Sequence, residues 1–404
     1  MYKKAMLVPS YMKSFNCIGK ECTDTCCGLW NINIDKKSYQ NYKKCKDKNF
    51  RLRLENGIKR NRKNSCDENY AKIILDKDTN TCPFLNGDKL CDVYINMGEE
   101  YMCDTCTTYP RVYSEVNGVI EKSLSVSCPE ATRLVLDNEE KMSFEEVLYD
   151  DSRCISQISI NTNKEKFTYY IEKYFWELRV IAIDIIQNRQ YSIDERIIIL
   201  GMLCDEVNNL VKEGKGNDII SVIEKYEKRI LKGQYKEILK EIPFNIGLKI
   251  KLILEIQDIK FTKGVNKNYF EFVNKTLKML CNEDEIEQKY FKAKNNYDEV
   301  LEKKYNYIME NYIVNHLFKN TFPLRDRKDI FEEYILLCIY YSIIKFNLIG
   351  LSLEKELSKQ EVLEFIQQFS KSIEHDPDYI NKVYAELKNV NFNQLKYMIV
   401  LIKD

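Results

Sequence analysis

Four cysteines crowd into the short stretch "CIGKECTDTCCGLW": Cys17, Cys22, Cys26 and Cys27. More follow downstream. Cys82 and Cys91 lie in "TCPFLNGDKLCDVY", Cys103 and Cys106 in "MCDTCTTYPR", and Cys128 in "SVSCPE". Thiolates spaced two to four residues apart can converge on one metal centre, because a turn brings their sulfurs together. Neighbouring side chains point in different directions, so Cys26 and Cys27 either serve different roles or one of them is structural. The chain has only 2 histidines. An all-sulfur donor set favours zinc or an iron–sulfur centre over magnesium, calcium or non-haem iron. Spacing leaves that choice open. Structural zinc usually shows two C-x2-C knuckles, and only Cys103 and Cys106 make one. The C-x3-C-x2-C pattern of radical enzymes is absent, because Leu29 stands where its third cysteine would be.

The thiols are concentrated at one end. Of 15 cysteines, all but Cys204, Cys281 and Cys338 fall within residues 1–154. Those three sit in apolar helical contexts such as "ILLCIYY" and read as small buried hydrophobes. The opening residues, "MYKKAMLVPSYMKSF", show no long apolar run, so no signal peptide is expected. A cytoplasmic location and reduced thiols follow as expectations. No uninterrupted run of about 18 apolar residues is present, so no membrane partner is expected. Formal net charge is +0, which removes a global electrostatic argument for nucleic-acid binding. Residues 36–63 are strongly basic, which suits either a solvated lysine-rich face or an acidic partner. Their few aromatics (Tyr39, Tyr42 and Phe50) are too sparse for a nucleic-acid partner.

The elements that must position these groups change character near residue 155. "AKIILD" and "SLSVSC" read as short strands, and "KKSYQNYKKC" as a helix capped by Asp35. After residue 165 the apolar period is helical throughout. Ser192 and Glu195 form a capping-box pattern, Gly214 ends that helix, and Asp376-Pro377 starts another. The predicted fold is mainly α: a small cysteine-rich α+β metal-binding domain over 1–154, then a larger all-helical domain over 155–404. Tyr305, Tyr312, Asn315, Lys319 and Phe322 fall on one helical stripe, either a core face or a docking face. No strand–GxGxxG–helix fingerprint is present. Asn315-His316 in "VNHLF" is similar to the Asn-His pair of SET-domain methylases, but it lies in a helical pattern without their companion motifs.

The segments "CIGKECTDTCCGLWNINID", "CPFLNGDKLCDVY", "CTTYPRVY" and "SLSVSCPEATRLVL", in that order over roughly residues 7–137, resemble the flagellin lysine-N-methylase family (FliB) and the wider group of cysteine-rich zinc- or iron-chelating domains. One departure is that Leu29 separates Gly28 from Trp30. The resemblance implies methyl transfer from S-adenosylmethionine to flagellin lysines, with flagellin as protein partner. It also implies a [4Fe–4S] cluster, with zinc as the alternative. The family's recurrent thiols correspond to Cys17, Cys22, Cys26, Cys27, Cys82, Cys91, Cys106 and Cys128, and Cys45, Cys66, Cys103 and Cys154 stand as extras. Trp30, Arg111 and Arg133 are expected at the methyl donor, and Tyr109, Arg111 and Glu130 in catalysis. Each has a plainer reading. Arg111 and Arg133 can pair with Glu115 and Glu130, Tyr109 can be a buried tyrosine, and Glu130 can cap a helix starting at Pro129. His316 and His375 read as ordinary helix residues. The rival to an enzyme is a non-enzymatic zinc- or iron-chelating scaffold, or a zinc-stabilised nucleic-acid binder.

Overall fold

The computed structural model describes residues 4–28, 30–63, 65–149, 158–163, 170–261, 266–281, 285–325 and 329–404. The expected domain boundary at 154/155 and Cys154 lie outside them. The first part of the chain holds the strands Lys4–Pro9 (β1), Asn33–Ile34 (β2), Ile58–Arg60 (β3), Ala71–Ile73 (β4), Arg111–Val116 (β5), Val119–Leu124 (β6), Phe144–Tyr149 (β7) and Ser159–Ile160 (β8). Its helices are Lys36–Lys43 (α1), Lys48–Gly57 (α2), Asp92–Met97 (α3), Asp104–Thr108 (α4) and Pro129–Leu136 (α5). One sheet has five strands in the order β7-β1-β6-β5-β8, and a smaller one has the order β2-β4-β3. The β5–β6 hairpin turns on Asn117 and Gly118, both at positive φ (53° and 80°). That is the two-residue turn whose twist matches the flanking strands. Local signals hold elsewhere too. Asp35 accepts from the Ser38 amide at 2.8 Å and caps α1, and Pro129 opens α5. "SLSVSC" needs a correction: the strand ends at Leu124, and Ser125–Cys128 turn into α5. The Ser125 and Ser127 hydroxyls bond each other at 2.9 Å, an alternative to ladder pairing that serine side chains readily take.

The second part is all helical: Tyr170–Lys173 (α6), Phe175–Ile186 (α7), Ile193–Lys212 (α8), Ile219–Leu231 (α9), Tyr235–Glu241 (α10), Ile246–Phe261 (α11), Lys267–Cys281 (α12), Ile286–Tyr297 (α13), Asn306–Lys319 (α14), Ile330–Leu351 (α15), Lys359–Phe369 (α16), Pro377–Asn389 (α17) and Leu395–Ile402 (α18). The capping box at Ser192 and Glu195 is formed, and Gly214 follows α8 at φ +73°. α15 is long and apolar enough to cross a membrane, yet 94% of its most apolar window is buried inside the protein. It is the helix around which α8, α12, α13 and α18 pack. Cys204 and Cys338 are fully buried, as expected of small hydrophobes.

The apolar core runs from one part into the other. Tyr11, Phe15, Val116, Leu124, Val126 and Val135 share a single cluster with the helical residues, while Ile32, Ile34, Phe50, Leu54, Phe84 and the thiols Cys45, Cys82 and Cys103 form a second. Buried polar bonds fasten the sheet to the helices. Arg179 of α7 grips Glu121 of β6 through two bonds of 2.7 and 3.0 Å and donates to the Phe318 carbonyl at 3.0 Å. Asn315 accepts from Tyr11 Oη at 2.6 Å and donates to the Leu124 carbonyl at 3.1 Å. Most of the stripe is a core face: Tyr312, Asn315 and Phe322 are buried, while Tyr305 and Lys319 are partly exposed.

Candidate active site

The thiols gather beside each other in two groups. Cys27, Cys82, Cys91, Cys103 and Cys106 line one small cavity of about 20 Å³, closed by Ile32, Tyr42, Ile73, Phe84 and Val93. Burial pushes the Cys82 thiol up to about 12, with Cys91 and Cys103 nearby. A hydrogen bond from Cys106 lowers the Cys103 thiol, and the same bond, with burial, raises Cys106. Cys103, an apparent extra in the sequence, thus sits among the recurrent cysteines. Cys17, Cys22, Cys26 and Cys128 form the outer group. Burial and the neighbouring sulfurs of Cys26 and Cys17 raise Cys22. Burial first, then Cys22 and Cys26, holds Cys128 near 12. Cys26 stands between the groups, its sulfur 4.0 Å from that of Cys27. Of the adjacent pair, Cys27 lines the inner cavity and Cys26 does not, though their sulfurs stay close. Among the described residues, no three Cys, His, Asp or Glu side chains stand at metal-ligand spacing. Cys66 is exposed.

Against the thiol region opens a cavity of about 300 Å³, within the range of small-molecule sites. Both halves of the chain build it. Trp30, Tyr109 and Arg111 come from the cysteine-rich part, and His316, Lys319, Glu374 and His375 from the helices. Trp30, Tyr109 and His375 make an aromatic wall: Trp30 lies 5.3 Å from Tyr109 and 5.7 Å from His375, ring centre to ring centre. Trp30 Nε1 donates to the Cys26 carbonyl at 3.0 Å, which ties this wall to the paired cysteines. Tyr109 Oη, Ser127 Oγ and His375 Nε2 follow one another at 3.0 and 2.8 Å. Arg111 lies over the Phe15 ring at 5.0 Å.

Burial lowers His375 to about 4 and His316 to about 3, so both imidazoles are neutral at pH 7. Burial alone would raise the Glu374 carboxyl. The charges of Lys319 and His316 and the bonds from Lys319 and Tyr312 outweigh it, and hold the carboxyl near 2. A π-helical turn, Ser370–Glu374, continues α16 and re-aims these side chains, a device often found at functional sites. Glu374 and His375 are turned into the cavity, while Lys371 reaches the cysteine loop. Lys371 Nζ donates to Asp24 Oδ2 at 2.8 Å and to the Thr25 carbonyl at 2.7 Å. Gln367 adds bonds to Asp24 (3.0 Å) and the Ser127 carbonyl (2.6 Å).

Of the residues singled out in the sequence, Trp30, Tyr109 and Arg111 meet in this cavity. Glu130 and Arg133 do not line it. They hold each other bidentately at 2.7 and 2.9 Å on α5, the plainer of their two readings. His375, Glu374 and Lys319 join the site without a sequence signal of their own. Asp376-Pro377, the start of α17, marked only where the π turn must end.

The helical part, residues 179–401, matches the FliB lysine N-methylase C-terminal domain. The chain belongs to the FliB lysine N-methylase family. It is 22% identical over 410 residues to a lysine-N-methylase of Salmonella typhimurium, with 98% of each chain covered. A Salmonella choleraesuis lysine-N-methylase is similar to the same extent. The flagellar biosynthetic protein FliU of Salmonella muenchen is 31% identical over 138 residues, which is 34% of this chain and 80% of that one. No solved structure matches. The two family signals are complementary: the cysteine motifs fall before residue 137, and the family domain begins at 179. The cavity draws its walls from both.

Proposed function

We propose that this protein transfers methyl groups from S-adenosylmethionine to lysine side chains of flagellin, in the cytoplasm, at the cavity walled by Trp30, Tyr109, Arg111 and His375. The observation that carries this reading is the shared cavity itself. It is a ligand-sized pocket beside the thiol groups, in a chain that aligns along 98% of its length with lysine-N-methylases. The wall suits the chemistry. Aromatic faces favour a sulfonium or an alkylated ammonium, and Arg111 can pair with a carboxylate such as that of an amino-acid donor. The amine must be neutral to attack.

The donor set fits a thiophilic group. Five cysteines line one small cavity, and although no three of them stand at ligand spacing in this arrangement, an all-sulfur donor set suits an iron–sulfur cluster or zinc. Cys27, Cys82, Cys91, Cys103 and Cys106 would hold it, with Cys17, Cys22, Cys26 and Cys128 beside them. A [4Fe–4S] cluster would supply a Lewis-acidic or redox-active iron next to the pocket; zinc would supply structural cross-linking. The test is direct. Anaerobically purified protein, S-adenosylmethionine and flagellin are incubated, and flagellin lysines are read by mass spectrometry. Added mass of one methyl or more on lysine is expected, together with iron in the protein. Unmodified flagellin in the presence of a fully metallated protein refutes the reading.

A further inference from the structure

We infer that His375, acting through Ser127, fixes Tyr109 as a hydrogen-bond acceptor toward the cavity, so that its phenol oxygen takes an N–H of the incoming lysine amine. This rests on the methyl-transfer reading above and concerns how the substrate nitrogen is aimed. Tyr109 Oη lies 3.0 Å from Ser127 Oγ, Ser127 Oγ 2.8 Å from His375 Nε2, and Ser125 Oγ 2.9 Å from Ser127 Oγ. Ser127 is 1% exposed, so no water competes for these bonds. A serine hydroxyl has one hydrogen and two lone pairs. Ser127 Oγ has three partners here, Tyr109 Oη, His375 Nε2 and Ser125 Oγ, so it donates to one of them and accepts from the other two. Its one hydrogen goes to the most basic of the three, and its two lone pairs accept from the others. The phenol is the more acidic partner and the imidazole nitrogen the more basic. The hydrogens therefore run from Tyr109 to Ser127 to Nε2, and His375 is the Nδ1–H tautomer.

That order has a consequence for recognition. Tyr109 has committed its hydrogen inward, so only lone pairs face the cavity. Such an oxygen holds an N–H donor and rejects a group that can only accept. An amine held by one N–H keeps its own lone pair free to form the bond to the methyl carbon. His375 is faced by Lys319 of α14, Arg325 of the following loop, Lys371 and Glu374 of the π turn, and the rings of Trp30 and Tyr109. Burial first, then the charges of Lys319, Lys371 and Arg325, outweigh the opposing Glu374 carboxylate and keep it neutral and accepting well below pH 7. His375 and Ser127 are positioning residues, and Tyr109 is the group that touches substrate.

Nitrogen NMR of the full chain labelled at histidine tests this, with His375→Gln identifying which of the 2 histidines gives each signal. An unprotonated Nε2 and a protonated Nδ1 at pH 7 are expected, with Ser127→Ala moving the Nε2 resonance. A protonated Nε2 overturns the inference. Kinetics give the second arm. His375→Leu removes the acceptor and should lower kcat for flagellin about 100-fold with little change in KM, the size expected when a reacting atom is misplaced by about 1 Å. His375→Gln offers an amide oxygen in place of Nε2 and should recover most of that loss. A His375→Leu enzyme with the wild-type kcat overturns the inference as well. A wild-type protein that methylates no lysine defeats the parent reading alone, because the NMR arm still decides the tautomer.

Discussion

Residue identity matters most where one thiol differs from its neighbour. Cys26 and Cys27 are adjacent, yet Cys27 lines the inner cavity and Cys26 stands between the two groups. Cys66 has the same chemistry and an exposed position in neither group. Replacing Cys27 or Cys106 with Ser should therefore strip most of the bound metal, read by elemental analysis after anaerobic purification. Cys66→Ser should keep it. Equal metal in Cys27→Ser and Cys66→Ser would place the centre elsewhere. Tyr109 offers a second residue-level test. Tyr109→Phe keeps the ring against Trp30 and removes only the hydroxyl. Methyl transfer should fall while the fluorescence of Trp30 stays as in the wild type. Unchanged transfer would show that the hydroxyl does no work.

At the scale of elements, the π turn at Ser370–Glu374 is the joint between helix and cysteine loop. Lys371 within it bonds Asp24, and His375 just after it lines the cavity. The Lys371 side chain is 3% exposed and that of Asp24 18%, so the pair is largely desolvated. Removing one partner of such a pair leaves a buried charge uncompensated, at a cost of roughly 3–5 kcal/mol. Lys371→Met should lose stability on that scale in denaturant unfolding and should loosen residues 17–28 to proteolysis. A loop as resistant as the wild type's would show that the pair does not hold it. Gly201 marks another close approach, between α8 and α15. A Cβ there would stand 2.2 Å from the Tyr334 hydroxyl. Tyr334 is fully buried and cannot swing aside. Gly201→Ala should cost about 1–3 kcal/mol by overpacking, measured as a lower denaturant midpoint. An unchanged midpoint would mean that the helices can separate freely.

At the scale of the whole molecule, the continuous core decides what can be cut or titrated. Val116, Leu124, Val126 and Val135 are buried in the same cluster as the helices. A fragment ending near residue 160 would expose them, and it should be unfolded by circular dichroism whether or not metal is supplied. A folded, metal-binding fragment would contradict the shared core. The neutral histidines make stability depend on pH. Their folded pKa values, about 4 for His375 and about 3 for His316, lie below the ordinary 6.5. The unfolded chain therefore binds more protons below pH 6.5, and stability falls as pH drops through that window. Each unit of lowering is worth about 1.4 kcal/mol. Tm should be level above pH 7 and should decline steadily from pH 6.5 toward 4. His316→Asn should flatten part of that decline. A Tm constant down to pH 4 would mean that the imidazoles are solvated.

Much of this protein was legible in its sequence, because the signals involved are local. Helix caps at Asp35, Ser192 and Asp376 depend on side chains within three residues of the backbone groups they satisfy. A run of thiols with few histidines limits the ligand chemistry wherever the chain goes. Trp30, Tyr109 and Arg111 lay close enough to the cysteine motifs to be singled out. The partners that complete the cavity were invisible for the opposite reason. His375 is 345 positions from Trp30, and nothing in its own helical neighbourhood marks it. Only packing of α16 and its π turn against the cysteine loop brings the two rings together. Cys103 had the same spacing to Cys106 that any C-x2-C has, and its burial among the other sulfurs depends on α3, α4 and the small sheet closing over it. Glu130 and Arg133 went the other way, since three residues along a helix is contact distance and the pair satisfied itself locally. Local pattern determines which elements form and which chemistry they carry. Burial and long-range closure decide which of those groups meet, because desolvation and neighbouring charge exist only once the chain has folded around them.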